Sequence, residues 1–524
     1  MSVLGTESRV FKSRHPDISI VRYINTYQSM LYNFLIELSL VVMVCYFISI
    51  QPLLKPQVGS LSYHSLVSKC YNTFYIFLFL CVISQLVVPP IFQDTAFLEN
   101  NYYILYLKNI GIIGTIILVY IFTPYLINNN MYNLEVLFLV CLSLLGLLLF
   151  ISSKDLLISF LALEIQSLSF YVLASSNKTS PVSVEAGLKY FILGSISSGI
   201  FLIGLAVVYG TLGTTALYDI LLLEVTTSEE TALLIGTLFI IVAFLFKIGT
   251  APFHVWLPDV YEGSPLFVTA YFTIVPKLFI YCFFFKFFII GLQSISDFWS
   301  YLISFSILLT FLIGSFGAFF QKRIKRLLAY STIGHNGFML IPLISNDTNS
   351  LIYLVIYMIS YIISNIIIFG ILSTLRDNNG YSITFLSEFR GLANSHFVLA
   401  ICLGITLLSV AGIPPLMGFF AKYYVILSAI NSGHFVISVV AILTSTLSCY
   451  YYLKLSELSF FWTNKEKGFL WNNLSVNEST FKRQESSVSI FFFLFIVLLT
   501  SQIYIDSIFD TFSLSSNFIM RIWY

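Results

Sequence analysis

Charged side chains are scarce: Asp, Glu, Lys and Arg make up 10% of 524 residues, against about a quarter in a soluble domain. With 58% hydrophobic residues, so little charge cannot cover a water-soluble fold, and the chain reads as integral to a lipid bilayer. A net charge of +1 offers no basic surface to a phosphate backbone, which excludes nucleic acid as a partner. The seven cysteines include no C-x-x-C and no Cys/His pair at ligand spacing, and the six histidines are scattered. Zinc, iron–sulfur and disulfide chemistry therefore lack a ligand set. No glycine-rich phosphate loop opens a helix. Nucleotide and redox chemistry must be carried elsewhere, and this chain is expected to hold no cofactor and no metal.

What is present is a succession of apolar segments with short polar breaks, about fourteen of them long enough to span a bilayer. They fall at about 34–51, 71–93, 104–123, 133–152, 155–175, 188–210, 232–253, 266–291, 298–320, 327–345, 350–375, 396–430, 434–461 and 489–511. The expected class is an all-α polytopic membrane protein. No stretch is large enough for a soluble domain. Loops after odd-numbered segments carry most of the Lys and Arg, including Lys322, Arg323, Arg376 and Arg390, whereas loops after even-numbered segments are mostly acidic, including Asp94, Glu99, Glu229 and Asp347. That asymmetry supports the segment count and places both termini on the outer side. Residues 1–33 form a polar arm with Arg9, Lys12, Arg14 and Arg22 beside Glu7 and Asp17; it is either an import segment or a surface arm.

The stretch LFKIGTAPFHVWLPDVYEGSP, 245–265, carries the most chemistry. Lys247 stands in an apolar run with no acidic neighbour, and Gly249 and Pro252 follow it. Proline removes a backbone donor and clashes with the preceding turn, so the seventh segment should break beside the buried ammonium. Pro414 and Pro415 in GIPPLMGFFAK break the twelfth segment in the same way, with Lys422 just beyond. Two interrupted, lysine-bearing segments, one in each half, are the mark of an internal repeat with a site in each half. The symmetry is imperfect, because Lys247 precedes its proline and Lys422 follows its pair.

Glu164 lies within FLALEIQSLSFYVLA, and its proton occupancy would depend on whether a nearby lysine is charged. At about 5 Å and an effective dielectric near 20, two unit charges interact by roughly 3 kcal/mol, so separating them moves a proton equilibrium about a hundredfold. Lys277 interrupts its segment near the middle, where an ionisable group is functional by default. His335, in IKRLLAYSTIGHNGFML, either relays protons between the halves or is simply hydrogen-bonded in place. Glu135, near the start of the fourth segment, is either functional or interfacial. Lys286 is expected as a helix-end lysine reaching for the interface, and Asp259 and Glu262 as loop caps.

Taken together, FLALEIQSLSFYVLASSN, LFKIGTAPFHVWLPDVYEGSP, VPKLFIY, IKRLLAYSTIGHNGFML and LSVAGIPPLMGFFAKYYV resemble the antiporter-like subunits of respiratory complex I. The likeness covers about 135–455. It implies fourteen helices with two inverted five-helix repeats and broken helices seven and twelve: a polar arm at 1–33, helices one to three at 34–123, a first repeat at 133–291, a second at 298–461, and a hydrophilic insert with helix fourteen at 462–524. It also implies roles in proton translocation. Glu164 and Lys247 become a coupled pair, Lys277 a central relay, His335 a connecting group, Lys422 the second half-channel and Glu135 an additional carboxylate. By the same resemblance NADH, FMN, iron–sulfur clusters and ubiquinone are bound by other subunits. The implied partners are membrane-arm subunits, including a second antiporter-like one, and the implied location is the mitochondrial inner membrane or the bacterial plasma membrane. The phenylalanine- and tyrosine-rich composition fits an organellar gene. No long lateral helix follows the fourteenth segment, which points to the family's smaller members. A free-standing or multisubunit cation/proton antiporter with the same fold is the alternative; a scaffold that has lost the pump is disfavoured by the cost of every intramembrane charge.

Overall fold

Where no water reaches the backbone, each crossing segment must close its own hydrogen bonds, and helix is the only local solution. The structure, a computed structural model, describes residues 34–54, 61–87, 97–222, 227–292, 295–345, 349–376, 382–461 and 495–498. The polar arm, the insert and most of the fourteenth segment lie outside them. Among the described residues eleven helices are long and apolar enough to cross a membrane, and shorter apolar helices cover Ile36–Gln51 and Phe397–Ala411.

The three N-terminal helices are α1 (Leu35–Leu54), α2 (Leu61–Val87) and α3 (Tyr102–Asn128). Then come α4 (Leu134–Ser152), α5 (Leu156–Ala174), α6 (Pro181–Leu212), the interrupted pair α7 (Thr227–Ile248) and α8 (Trp256–Gly263), and α9 (Leu266–Lys286). The same order recurs in α10 (Ser296–Phe319), α11 (Ile324–Ile344), α12 (Ser350–Thr374), the interrupted pair α13 (Phe397–Ala411) and α14 (Met417–Asn431), and α15 (Phe435–Phe460). Each set makes an odd number of crossings, with a broken pair counted as one, so the second set enters from the face opposite to the first.

Both breaks are built alike. Gly249 has φ 78° and Gly412 φ 90°, a left-handed conformation that glycine adopts without the penalty of a Cβ. The Gly249 N–H donates to the Leu245 and Phe246 carbonyls, both at 3.0 Å, and the Thr250 N–H donates to Leu245 at 3.1 Å. One repeat later, the Gly412 N–H donates to Leu408 and Ser409 at 3.1 and 3.0 Å, and the Ile413 N–H donates to Leu408 at 3.1 Å. This cap satisfies carbonyls that the missing next turn would orphan. In both cases a proline stands three residues after the glycine and keeps the helix from resuming.

The core is organised on α9. Every side chain from Leu266 to Phe285 is buried, and the helix runs through Pro276 unbroken, against α3, α4, α7, α11 and α12. By contrast α6 and α15 turn large apolar residues outward, among them Leu188, Ile192, Ile203, Val439 and Leu443, as lipid-facing helices do.

Two expectations are corrected. Asp259 and Glu262 are not loop caps: they lie on α8 and bind basic residues, Asp259 with Lys189 at 3.3 Å and Glu262 with Arg326 at 3.2 Å and with Arg323. Lys286 does not reach for the interface. It pairs with the buried Glu99 at 2.5 Å and donates to the Ser153 carbonyl at 2.6 Å. Pro276 lies inside α9, which continues through it.

Candidate functional site

Five of the six predicted residues lie along one path through the interior. Glu164 on α5 and Lys247 on α7 line one cavity with Ser197, Ser198 and Phe244. No ion pair joins them: the Lys247 ammonium and Glu164 Oε1 are buried without a hydrogen-bond partner, while Oε2 accepts from the Ser167 hydroxyl at 3.4 Å. Lys247 also lines a second cavity, shared with Gln166, Tyr261, Pro276 and Lys277, which has room for about one water molecule. Lys247 thus stands between Glu164 and Lys277.

Lys277 is 5% exposed, and all its bonds go to neutral groups. Its ammonium donates to Asn336 Oδ1 at 2.8 Å and to the Tyr361 hydroxyl at 3.2 Å, and lies 5.0 Å from the centre of the Tyr361 ring. An ammonium held by an amide, a phenol and a ring face keeps hydrogen bonds at this depth while no carboxylate fixes its proton. Adjacent in sequence to Asn336, His335 lies with Nδ1 2.7 Å from the Tyr357 hydroxyl and Nε2 3.2 Å from that of Tyr452. A neutral imidazole donates with one nitrogen and accepts with the other, so one phenol donates to the ring while the other accepts from it.

Past His335 a third cavity, lined also by Ser331, Ser448 and Tyr451, leads to Lys422. The Lys422 ammonium donates to the Ala411 carbonyl at 2.8 Å and lies 5.3 Å from the centre of the Phe338 ring. Carbonyls at the end of a broken helix carry partial negative charge, so this end receives the cation. Glu135 is not brought to this line. It is exposed on the first turn of α4.

Sequence reasoning missed Asn336, Tyr357, Tyr361 and Tyr452. Tyr357 and Tyr361 are four apart on α12, a spacing that puts both on one face, and Asn336 follows a histidine within an apolar segment; both signals were present. A second omission is the buried pair of Lys108 with Glu37 at 2.5 Å, joined by Asn100 Oδ1 at 2.5 Å. Glu37 and Lys108 each interrupt an apolar run, as Glu164 does. Among the described residues no group of acids, histidines and cysteines could hold a metal ion.

An all-α membrane bundle with two capped helix breaks and an internal line of ionisable groups defines a class of ion-translocating proteins. The chain belongs to the transmembrane family described as NADH:quinone oxidoreductase/Mrp antiporter, whose model matches residues 153–448. It is similar to NADH-quinone oxidoreductase subunit N of Rhodospirillum rubrum, 36% identical over 380 residues, 72% of this chain and 76% of that protein. NADH-ubiquinone oxidoreductase chain 2 of Marchantia polymorpha is 38% identical over 347 residues, 65% of this chain and 70% of that one. In fold it matches a chain of respiratory complex I from Thermus thermophilus at TM-score 0.71 and 24% identity, over 90% of this chain and 98% of that chain.

Proposed function

We propose that this chain is a proton-translocating membrane-arm subunit of a respiratory NADH:ubiquinone oxidoreductase, the counterpart of subunit N in bacteria and chain 2 in mitochondria. It serves an H+-translocating enzyme without a redox centre of its own. NADH, FMN, iron–sulfur clusters and ubiquinone belong to other subunits, and its neighbours include a second antiporter-like subunit. The mitochondrial inner membrane is the proposed location, favoured by the organelle-like composition. The observation that carries this reading is the succession Glu164, Lys247, Lys277, Asn336, His335, Lys422, joined by three cavities, by the Lys277–Asn336 bond and by the adjacency of Asn336 and His335 in the chain.

In the proposed cycle, charge arriving at the exposed Glu135 from a neighbouring subunit perturbs Glu164. Because Glu164 and Lys247 face one cavity unbonded, drawing them together or apart changes which of them holds a proton. A proton leaving Lys247 enters the cavity shared with Lys277, then passes through the tyrosines around His335. Lys422 takes it up at the second break and releases it to the outer side. The four charged stations are separated by cavities and, between Lys277 and Lys422, by neutral hydrogen-bonding groups, so protons move in steps.

The test is NADH-driven proton transport by the assembled complex in sealed vesicles, wild type against Lys277→Ala. Transport and its coupled NADH oxidation should fall together while the complex still assembles. Unchanged transport would overturn the reading, as would cation-driven proton exchange that needs neither NADH nor quinone.

A further inference from the structure

Asn336 is fully buried on α11 and makes bonds in three directions. Its Oδ1 accepts from the Lys277 ammonium at 2.8 Å, and its Nδ2 donates to the Ile248 carbonyl at 2.9 Å and the Gly249 carbonyl at 3.4 Å. The Tyr281 hydroxyl donates to its backbone carbonyl at 3.3 Å. Lysine only donates here and carbonyls only accept, so the amide has a single workable orientation: a flip would set donor against donor. Ile248 and Gly249 end the half-helix α7, and Ile248 directly follows Lys247 in the chain.

We infer that Asn336 is a positioning residue of the proton path, tying the Lys277 ammonium to the broken end of the helix that carries Lys247, so that the proton state of one lysine is felt at the other. A charged Lys277 makes a charge-assisted bond to Oδ1, which polarises the amide and strengthens Nδ2 donation to the two carbonyls. When Lys277 gives up its proton that bond weakens, and the hold on the end of α7 weakens with it. Asn336 comes from the second repeat and grips the break of the first, so it is also a joint between the halves. The titratable groups around this joint are Lys247 on α7, Tyr261 on α8, Tyr281 on α9, His335 on α11, and Tyr357 and Tyr361 on α12.

The inference rests on the proposed function. Its test uses the complete complex in sealed vesicles, with NADH-driven proton uptake measured across pH for wild type, Asn336→Asp, Asn336→Leu and Lys277→Ala. A carboxylate in place of the amide holds the proton on Lys277, and opposite charges this close shift such an equilibrium by about one unit or more. The alkaline limb of the rate profile should therefore move up in Asn336→Asp, whereas Asn336→Leu removes the acceptor and should move the limb down. Adding Asn336→Leu to Lys277→Ala should cost nothing further. Wild-type limbs in both Asn336 variants, with only a uniform loss of rate, would reduce Asn336 to a packing residue. Should Asn336→Asp fail to assemble, the direction of the shift in Asn336→Leu decides alone. Lys277→Ala separates the two claims. If that variant pumps normally, the proposed function fails; if it is inactive while the Asn336 variants keep wild-type profiles, only this inference fails.

Discussion

The Lys422 ammonium reaches back across the second break to the Ala411 carbonyl, 2.8 Å away and eleven positions earlier in the chain. One side of the interruption thus carries the cation and the other the carbonyl that receives it. Gly412 lies between them, and a Cβ there would come within 2.9 Å of Lys422 Cδ. Gly412→Ala should cost about 1–2 kcal/mol in backbone strain and also displace the ammonium. A lower thermal midpoint of the purified complex, together with slower proton uptake, is expected. Lys422→Met should slow uptake by roughly tenfold or more, in the range for losing a proton-transfer group, with the complex still assembled on native gels.

Glu164 and Lys247 share a cavity without bonding, so their effects should not add. Glu164→Gln and Lys247→Met are each expected to lower the protons moved per NADH oxidised, with the double variant no worse than the poorer single one, as for residues acting as a unit. Independent losses that multiply would place them on separate routes.

His335 is bracketed by two phenols. Tyr357→Phe or Tyr452→Phe leaves one ring nitrogen unpaired in a buried site, worth about 1–3 kcal/mol. Either change should slow pumping more than it reduces the amount of assembled complex. Comparing initial pumping rate per unit of complex in the two variants would reveal whether both phenols or only one lies on the path.

The Glu37–Lys108 pair lies off the path, with relative side-chain exposures of 6% and 0%. Removing one partner from such a pair typically costs about 3–5 kcal/mol, and replacing both with apolar residues far less. Thermal denaturation in detergent should therefore rank Lys108→Met below the double variant Glu37→Leu/Lys108→Leu. Pumping per assembled complex should be the same in both.

Gly249, Pro252, Pro414 and Pro415 made both breaks legible, because glycine and proline act on the backbone locally. Glu164, Lys247, Lys277 and Lys422 were legible because each is a charge in an apolar run. Partners were not, since pairing is a property of tertiary packing. Lys286 looked like any helix-end lysine until Glu99, 187 positions away in the chain, came to meet it. Asp259 and Glu262 were misread because the polar stretch after Pro252 resembles a loop, whereas α8 is held by Arg323 and Arg326 of the second repeat. Asn336 carries no charge and drew no notice, though it bonds both Lys277 and the end of α7 across the two halves.

The burial of α9 also bears on how the protein is made. Synthesis runs from the N-terminus, so Leu266–Lys286 enters the bilayer before α11 and α12 exist. The groups that bond the Lys277 ammonium, Asn336 and Tyr361, lie on those two later helices. During that interval the nascent chain holds an unprotected lysine in its half-built interior, and a lone charge at membrane depth is costly. Truncation between Lys286 and Asn336 would freeze the chain in that state, giving quality control an unpartnered cation to detect.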